Sequence, residues 1–102
     1  APSIVVIKAL EKLGAKIKAY DPIAMNNAKK LLPNITYCSD AYEAAKDADC
    51  LVVMTEWNEF KQLDLAKIKS TMSAPVIIDG RNIYDPQEAK SLGFTYQGVG
   101  RK

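Results

Sequence analysis

The first segment of the chain carries apolar residues at the spacing of one helical face, at Ile4, Ile7, Leu10 and Leu13. Gly14 follows directly, and a glycine at this position commonly ends a helix. Polar and apolar residues then alternate over 16–20, which is typical of a strand. The opening of the chain is therefore predicted to be a helix followed by a strand.

The rest of the chain repeats this alternation. A continuous apolar run at 50–54 is typical of a strand that is covered on both faces of a parallel sheet, and 75–79 is predicted to be another buried strand. Shorter strands are predicted at 35–37 and 94–96, and helices at 22–32, 41–48, 65–72 and 86–92. Helices that alternate with strands predict an α/β fold of the Rossmann-like, doubly wound type, with helices on both faces of a mostly parallel sheet.

The order of these elements has one irregularity. A doubly wound domain normally begins with a strand, which lies in the middle of the sheet in the order 3-2-1-4-5-6. Because this chain begins with a helix, we expect residues 1–102 to form a single domain that lacks its first strand and is a fragment of a longer protein. A native short domain that begins with a helix is the alternative. The sheet edges left open by a missing strand would favour pairing with another chain.

Composition narrows the classes of function. The chain has 102 residues, of which 48% are hydrophobic, enough for one core and too few for two. Fourteen Lys and Arg residues against twelve Asp and Glu give a formal charge of +2, which argues against a dedicated nucleic-acid binder or a polybasic membrane binder. The apolar runs are too short to span a membrane, and the N-terminus lacks a signal-peptide pattern. We therefore expect a cytoplasmic protein.

The sequence contains no histidine and two cysteines, Cys38 and Cys50. The absence of histidine removes the commonest general base and metal ligand, and two thiols alone cannot form a typical zinc site. Both cysteines stand at the ends of predicted strands, so we expect them to be buried and inert. No metal site and no catalytic residue is predicted in this chain.

A dinucleotide site is not indicated by the glycines. The G-x-G-x-x-G pattern, which presents a helix N-terminus to a pyrophosphate, does not occur. Gly98-Val99-Gly100 has only two residues after it, so no helix can follow, and a flexible chain end is expected there. Asp21 ends a predicted strand, where an acidic residue can bind a ribose hydroxyl, but Pro22 after it favours a helix cap. No cofactor-binding residue is therefore predicted.

The turn after the strand at 75–79 is the candidate binding site. Doubly wound folds bind ligands at the carboxyl ends of their strands. Gly80 lets the backbone approach a ligand closely, and the Arg81 guanidinium offers a rigid fork of donors for phosphate or carbonyl oxygens. A surface ion pair of Arg81 with Asp79 or Asp85 is the other interpretation. From the local sequence alone, both remain open.

A second loop follows the strand at 50–54, at the same end of the sheet. Trp57 and Phe60 could stack on a base or a sugar, but large aromatic residues more often anchor a loop to the core or fill a contact between domains. Glu56 has no second carboxylate or base placed beside it by the sequence, so no acid–base role is predicted for it.

Several segments together resemble one known family. The most specific is Asp79-Gly80-Arg81-Asn82-Ile83-Tyr84-Asp85-Pro86. The others are 1–3, 14–16, 19–22, 42–45, 47–49, 55–57 with Phe60, 93–94 and 98–101. Taken in chain order, these segments cover the whole chain and resemble the C-terminal, UDP-binding domain of the UDP-glucose/GDP-mannose dehydrogenase family.

The resemblance implies a substrate-binding domain in which Arg81 reaches a UDP-sugar across a domain interface and Gly80 shapes its turn. The family's enzymes oxidise the sugar C6 alcohol to a carboxylate in two NAD-dependent steps through a thiol-bound intermediate. Their NAD-binding domain, central helix and nucleophilic cysteine lie N-terminal to this domain, and neither Cys38 nor Cys50 matches that cysteine's motif. The resemblance thus implies a homo-oligomeric parent enzyme that holds NAD elsewhere, and a chain that is inactive and binds no cofactor alone.

Two classes of function follow from these observations. The first is the UDP-sugar-binding domain of an NAD-dependent dehydrogenase that converts UDP-glucose to UDP-glucuronate, with no nucleic-acid or membrane partner. The alternative is a non-catalytic nucleotide-binding or interaction module that shares only the Rossmann-like fold. The alternative predicts binding without any partner domain, with a Kd of about a micromolar.

Overall fold

The computed structural model describes residues 2–99, in which helices and strands alternate. Ala1, Gly100 and Arg101, which carry part of the family resemblance, lie outside the described residues. The helices are α1 (Pro2–Lys12), α2 (Met25–Leu31), α3 (Ala41–Ala45), α4 (Asn58–Lys61), α5 (Leu65–Thr71) and α6 (Pro86–Ser91). The strands are β1 (Lys18–Ala19), β2 (Thr36–Tyr37), β3 (Leu51–Val53), β4 (Val76–Asp79) and β5 (Thr95–Gly98).

The strands form two sheets, and both are parallel. In the first, β1 pairs with β2. In the second, β4 lies between β3 and β5. The predicted α/β class with parallel strands is confirmed, whereas the strands were expected in one sheet. The chain divides between residues 44 and 45 into two compact units, and each sheet belongs to one of them.

The first unit contains α1, α2 and the two short strands. Gly14 ends α1 as predicted, with a positive φ of 90°, and the Ala15 N–H donates to the Leu10 carbonyl at 3.1 Å. Asp21 caps the turn before α2, not the helix itself. Its Oδ1 accepts hydrogen bonds from the N–H groups of Ile23 and Ala24 at 2.8 and 2.9 Å. Because this turn occupies residues 22–24, α2 begins later than predicted.

The second unit is built around β4 and the helices that precede and follow it. Ile68 of α5 and Ile77 of β4 are completely buried. Asp64 and Asp85 cap α5 and α6, accepting from the Lys67 and Gln87 N–H groups at 3.1 and 2.9 Å. These two caps therefore fix the first residues of α5 and α6.

The two cysteines have different environments. Cys38 is buried, as expected, but Cys50 is exposed, so the prediction that both are buried was wrong for Cys50. Position 50 directly precedes β3, where the chain has not yet entered the sheet. Within residues 2–99, no three His, Cys, Asp or Glu side chains are grouped so that they could hold a metal ion. No helix in that range has both the length and the apolar character needed to cross a bilayer.

Candidate functional site

The candidate site lies where β3 and β4 end side by side. The two strands are parallel, and Val53 pairs with Asp79. The segments that follow, 54–57 and 80–84, therefore leave the sheet at the same edge. The carboxyl edge of a parallel sheet is where folds of this class bind ligands. The two loops that the sequence placed at one end of the sheet are thus neighbours.

Asp79 organises the turn from inside the protein. Its side chain is completely buried, and its carboxylate accepts three hydrogen bonds. Oδ1 accepts from the Arg81 N–H at 3.2 Å, and Oδ2 accepts from the Tyr84 N–H at 2.9 Å and the Tyr96 hydroxyl at 2.8 Å. A buried carboxylate is stable only when its oxygens are satisfied in this way. Asp79 therefore fixes the backbone on both sides of Asn82.

Gly80 is required by a close approach of two backbones. Its N–H donates to the Val53 carbonyl at 2.8 Å. A Cβ at Gly80 would lie 2.8 Å from the same oxygen and 3.4 Å from the Met54 sulfur. Because the first of these contacts is with backbone, it cannot be relieved by moving a side chain. Gly80 thus shapes the turn by holding it against the end of β3.

Arg81 forms an ion pair with Glu56. Its Nη2 donates to Glu56 Oε1 at 2.5 Å, and the two side chains are 50% and 55% exposed. The hydrogen bond from Arg81 and the positive charge of Arg81 lower the pKa of Glu56, and Lys61 lowers it further. The alternative interpretation of a surface ion pair named Asp79 or Asp85 as the partner; the partner is Glu56 instead, because Asp79 is turned inward and Asp85 caps α6. The guanidinium is consequently presented at the surface.

The turn is tied to the last strand. Asn82 adopts a positive φ of 54°, which asparagine tolerates better than most residues, and its side-chain amide donates to the Val99 carbonyl at 2.8 Å. The Val99 N–H donates to the Asp79 carbonyl at 3.1 Å, and Gly98 pairs with Asp79 in the sheet. The flexible chain end expected at 98–100 is therefore wrong for Gly98 and Val99, and Gly100 lies outside the described residues.

Aromatic residues anchor the second loop, as the structural interpretation predicted. Phe60 is buried, and its carbonyl accepts a hydrogen bond from the Tyr84 hydroxyl at 2.6 Å. Tyr84 thereby joins the 79–84 turn to α4. Trp57, by contrast, is 39% exposed at the start of α4. Glu56 is held next to Arg81 by this anchored loop.

The sequence identified Gly80 and Arg81 but missed the residue that Arg81 contacts. Glu56 lies 25 positions away, and no local pattern links it to Arg81. The signal available was the parallel order of the strands, since neighbouring parallel strands bring their following loops together. Ligand binding by Arg81 and Gly80 stays a prediction.

Two helix N-termini of the second unit are unfavourable for a dinucleotide. A pyrophosphate is bound by free N–H groups at a helix N-terminus beside small glycine residues. At α5 and α6, the Asp64 and Asp85 carboxylates each accept one of these N–H groups, and a carboxylate there repels phosphate. Gly80 faces the Val53 carbonyl and leaves no space for a phosphate at that point. No step involving NAD is assigned to these residues.

Comparison with known proteins places the chain in a family. The model of the UDP-glucose/GDP-mannose dehydrogenase family, UDP binding domain, matches residues 1–86. A UDP-glucose 6-dehydrogenase of Rhizobium meliloti (strain 1021) is 48% identical over 101 residues, covering 99% of this chain and 23% of that protein. The UDP-glucose 6-dehydrogenase TuaD of Bacillus subtilis (strain 168) is 41% identical over 102 residues, covering 99% and 22%. The chain thus spans about a quarter of the length of these curated relatives.

Solved structures share the fold. A UDP-D-ManNAc dehydrogenase from Pyrococcus horikoshii matches with a TM-score of 0.61 at 22% identity, over 94% of this chain and 29% of that one. An NDP-N-acetyl-D-galactosaminuronic acid dehydrogenase from Methanosarcina mazei Go1 matches with a TM-score of 0.60 at 24% identity, over 95% and 28%. These matches confirm the predicted Rossmann-like fold class.

Proposed function

The chain belongs to the UDP-glucose/GDP-mannose dehydrogenase family, as its UDP binding domain, and on this premise we propose that it binds the UDP-sugar substrate of an NAD-dependent UDP-glucose 6-dehydrogenase. The parent enzyme would oxidise UDP-glucose to UDP-glucuronate. Arg81 binds oxygens of the UDP-sugar, and Gly80 sets the position of its turn. NAD is held by another part of the parent enzyme.

One observation carries this proposal. The Arg81 side chain is half exposed at the carboxyl edge of the parallel sheet, while the backbone N–H of Arg81 is fixed by the buried Asp79. A planar fork of N–H donors suits the oxygens of a sugar nucleotide, and a fixed backbone limits the entropy lost on binding. The turn therefore has the chemistry and the rigidity of an oxyanion-binding wall.

The site is one wall and not an enclosed pocket. The cavity of about 100 Å³ beside Tyr84 is lined by residues 83–85, by Glu88 of α6 and by residues of the 61–65 segment, and Arg81 does not border it. Ligands of this size are normally buried between two surfaces, often at a domain interface. We accordingly assign the second wall to the NAD-binding and central-helix regions of a homo-oligomeric parent. The free thiols of Cys38 and Cys50 suit a cytoplasmic enzyme.

The purified 102-residue chain is expected to be catalytically inactive. We assign neither the chemical step nor NAD binding to any of its residues. In the presence of NAD and UDP-glucose, absorbance at the NADH wavelength should not rise above the buffer blank, and UDP-glucose should bind weakly or not at all by calorimetry. NADH formation by the chain alone would contradict the proposal. Binding at a Kd of about a micromolar would favour the non-catalytic nucleotide-binding module instead.

Arg81→Lys is expected to weaken substrate binding in a complete enzyme. Such an enzyme is the Rhizobium meliloti relative in which this chain replaces the matching region. We call it the exchanged enzyme. Lysine keeps the charge but loses the planar fork, so the KM for UDP-glucose should rise by about 10- to 100-fold, as for one or two lost charge-assisted hydrogen bonds. Steady-state kinetics with varied UDP-glucose and saturating NAD measure this change.

Two observations would contradict the proposal. One is an exchanged enzyme that forms no NADH with the wild-type chain. The other is an Arg81→Lys variant whose KM for UDP-glucose is unchanged. Lys90→Ala provides a control, because it removes an exposed cation from the last turn of α6, outside the 80–84 turn. Its KM for UDP-glucose should equal that of the wild type.

A further inference from the structure

Glu56 stands out among the groups that the proposed function leaves without a role. It follows β3, in the loop next to the Arg81 turn, and its carboxylate forms an ion pair with Arg81. An exposed ion pair of this kind contributes little to folding stability, because the gain in water is offset by the loss of side-chain freedom. We therefore look for the role of Glu56 in its effect on the Arg81 side chain.

The geometry of the contact leaves most of the guanidinium available. A guanidinium has five N–H donors in a fixed plane. The described ion pair engages Nη2 with one carboxylate oxygen of Glu56. A bidentate ligand binds either the Nε–Nη2 edge or the Nη1–Nη2 edge of a guanidinium, and Nη2 has one N–H on each edge. The edge whose Nη2 N–H is not bonded to Glu56 stays available to a ligand. Glu56 and a ligand can thus be bound by Arg81 at the same time.

Arg81 is then held at two points. Its N–H is fixed by Asp79 from within the sheet, and its guanidinium is fixed by Glu56 from the neighbouring loop. Glu56 itself is carried by a loop that the Tyr84–Phe60 hydrogen bond anchors to the core. Holding a long side chain in one rotamer removes an entropic cost that ligand binding would otherwise include.

The charges at this edge are compatible with such a role. The field of Lys61 acts on the Glu56 carboxylate together with that of Arg81. Glu56 thus lies in the field of two cations, Arg81 and Lys61. Because hydrogen bonding and charge from Arg81 lower the pKa of Glu56, the carboxylate stays ionised at neutral pH and the contact persists there.

We propose that Glu56 is a positioning residue, which orients the Arg81 guanidinium so that the edge not bonded to Glu56 faces the UDP-sugar. This inference rests on the proposed function of Arg81. It differs from a competing arrangement in which Glu56 occupies the place of the ligand and must be displaced. Positioning predicts that loss of Glu56 weakens binding, whereas displacement predicts that it strengthens binding.

Glu56→Gln in the exchanged enzyme decides between these arrangements. The KM for UDP-glucose should rise by about 2- to 10-fold, the cost of ordering one long side chain, while kcat changes much less. In the Arg81→Lys background, Glu56→Gln should add no further increase, because the residue acts through the guanidinium. Glu59→Gln, which removes the same charge from α4, serves as the control with an unchanged KM.

The outcomes separate the two proposals. A lower or unchanged KM for Glu56→Gln, with Arg81→Lys still impaired, overturns the positioning role and leaves the function of Arg81 intact. An equal effect of Glu56→Gln with and without Arg81→Lys also overturns it. An unimpaired Arg81→Lys enzyme overturns the proposed function itself.

A measurement on the 102-residue chain tests the ion pair without substrate. In a carboxylate NMR titration, the pKa of Glu56 should lie below its ordinary value and should rise in Arg81→Gln. A Glu56 pKa that does not respond to Arg81→Gln would show that the pair is absent in solution and would overturn the inference.

Discussion

Asp79→Ala should destabilise the chain by about 3–5 kcal/mol in urea unfolding, the largest loss that we expect from one substitution. The change removes the acceptor of three hydrogen bonds. The buried Tyr84 N–H loses its acceptor, and the Tyr96 hydroxyl keeps only a longer hydrogen bond to the Tyr84 carbonyl at 3.3 Å. Each buried donor that loses its acceptor costs about 1–3 kcal/mol.

Two further variants make this prediction specific. Asp79→Asn keeps one side-chain oxygen as an acceptor and should lower the free energy of unfolding by less. It provides a folded variant if the alanine variant does not fold. Asp64→Ala, an exposed helix cap, should cost only about 1 kcal/mol. A loss at Asp79→Ala no larger than that at Asp64→Ala would mean that the buried network does not hold the turn.

Gly80→Ala should impair the complete enzyme far more than it destabilises the fold. The added Cβ would lie 2.8 Å from the Val53 carbonyl oxygen, so the turn must move away from β3. Overpacking of this kind costs about 1–3 kcal/mol. A displacement of the turn moves Arg81 with it, and a misplacement of about 1 Å can reduce activity by about 100-fold. The value of kcat/KM for UDP-glucose in the exchanged enzyme measures that loss.

Gly14→Ala is the matched control for Gly80→Ala. Gly14 has a φ of 90°, but a Cβ there would meet nothing within 4 Å. The substitution therefore costs about 1–2 kcal/mol through backbone strain alone, at a position far from the turn in the sequence. We expect a similar loss of stability with kcat/KM preserved. Equal kcat/KM values for the two variants would contradict the role of Gly80 in placing Arg81.

The elements that could be predicted from the sequence are those with a local physical cause. The apolar residues of 51–53 and 76–78 form strands, and Gly14 ends a helix. Asp64 and Asp85 cap helices. Each of these features depends only on residues that are close in the sequence. The four-residue helix α4 was missed, since so short a segment has no periodicity.

The candidate site was predictable only in part, for a related reason. Gly80 and Arg81 follow a buried strand, and that position could be inferred. The burial of Asp79 could not be inferred, because one of its donors, the Tyr96 hydroxyl, lies 17 positions away. The contact of Arg81 with Glu56 depends on the pairing of β3 with β4, which no local pattern contains.

The attachment of the turn to β5 has a consequence for synthesis on the ribosome. Asp79 accepts a hydrogen bond from the Tyr96 hydroxyl, and the Asn82 side chain donates one to the Val99 carbonyl, each across 17 positions of the chain. Chains emerge from the N-terminus onward, so β3 and β4 are outside the ribosome before these partners are. The turn that carries Arg81 therefore gains these two hydrogen bonds only after residues 96–99 have left the ribosome, later than the strand that precedes it.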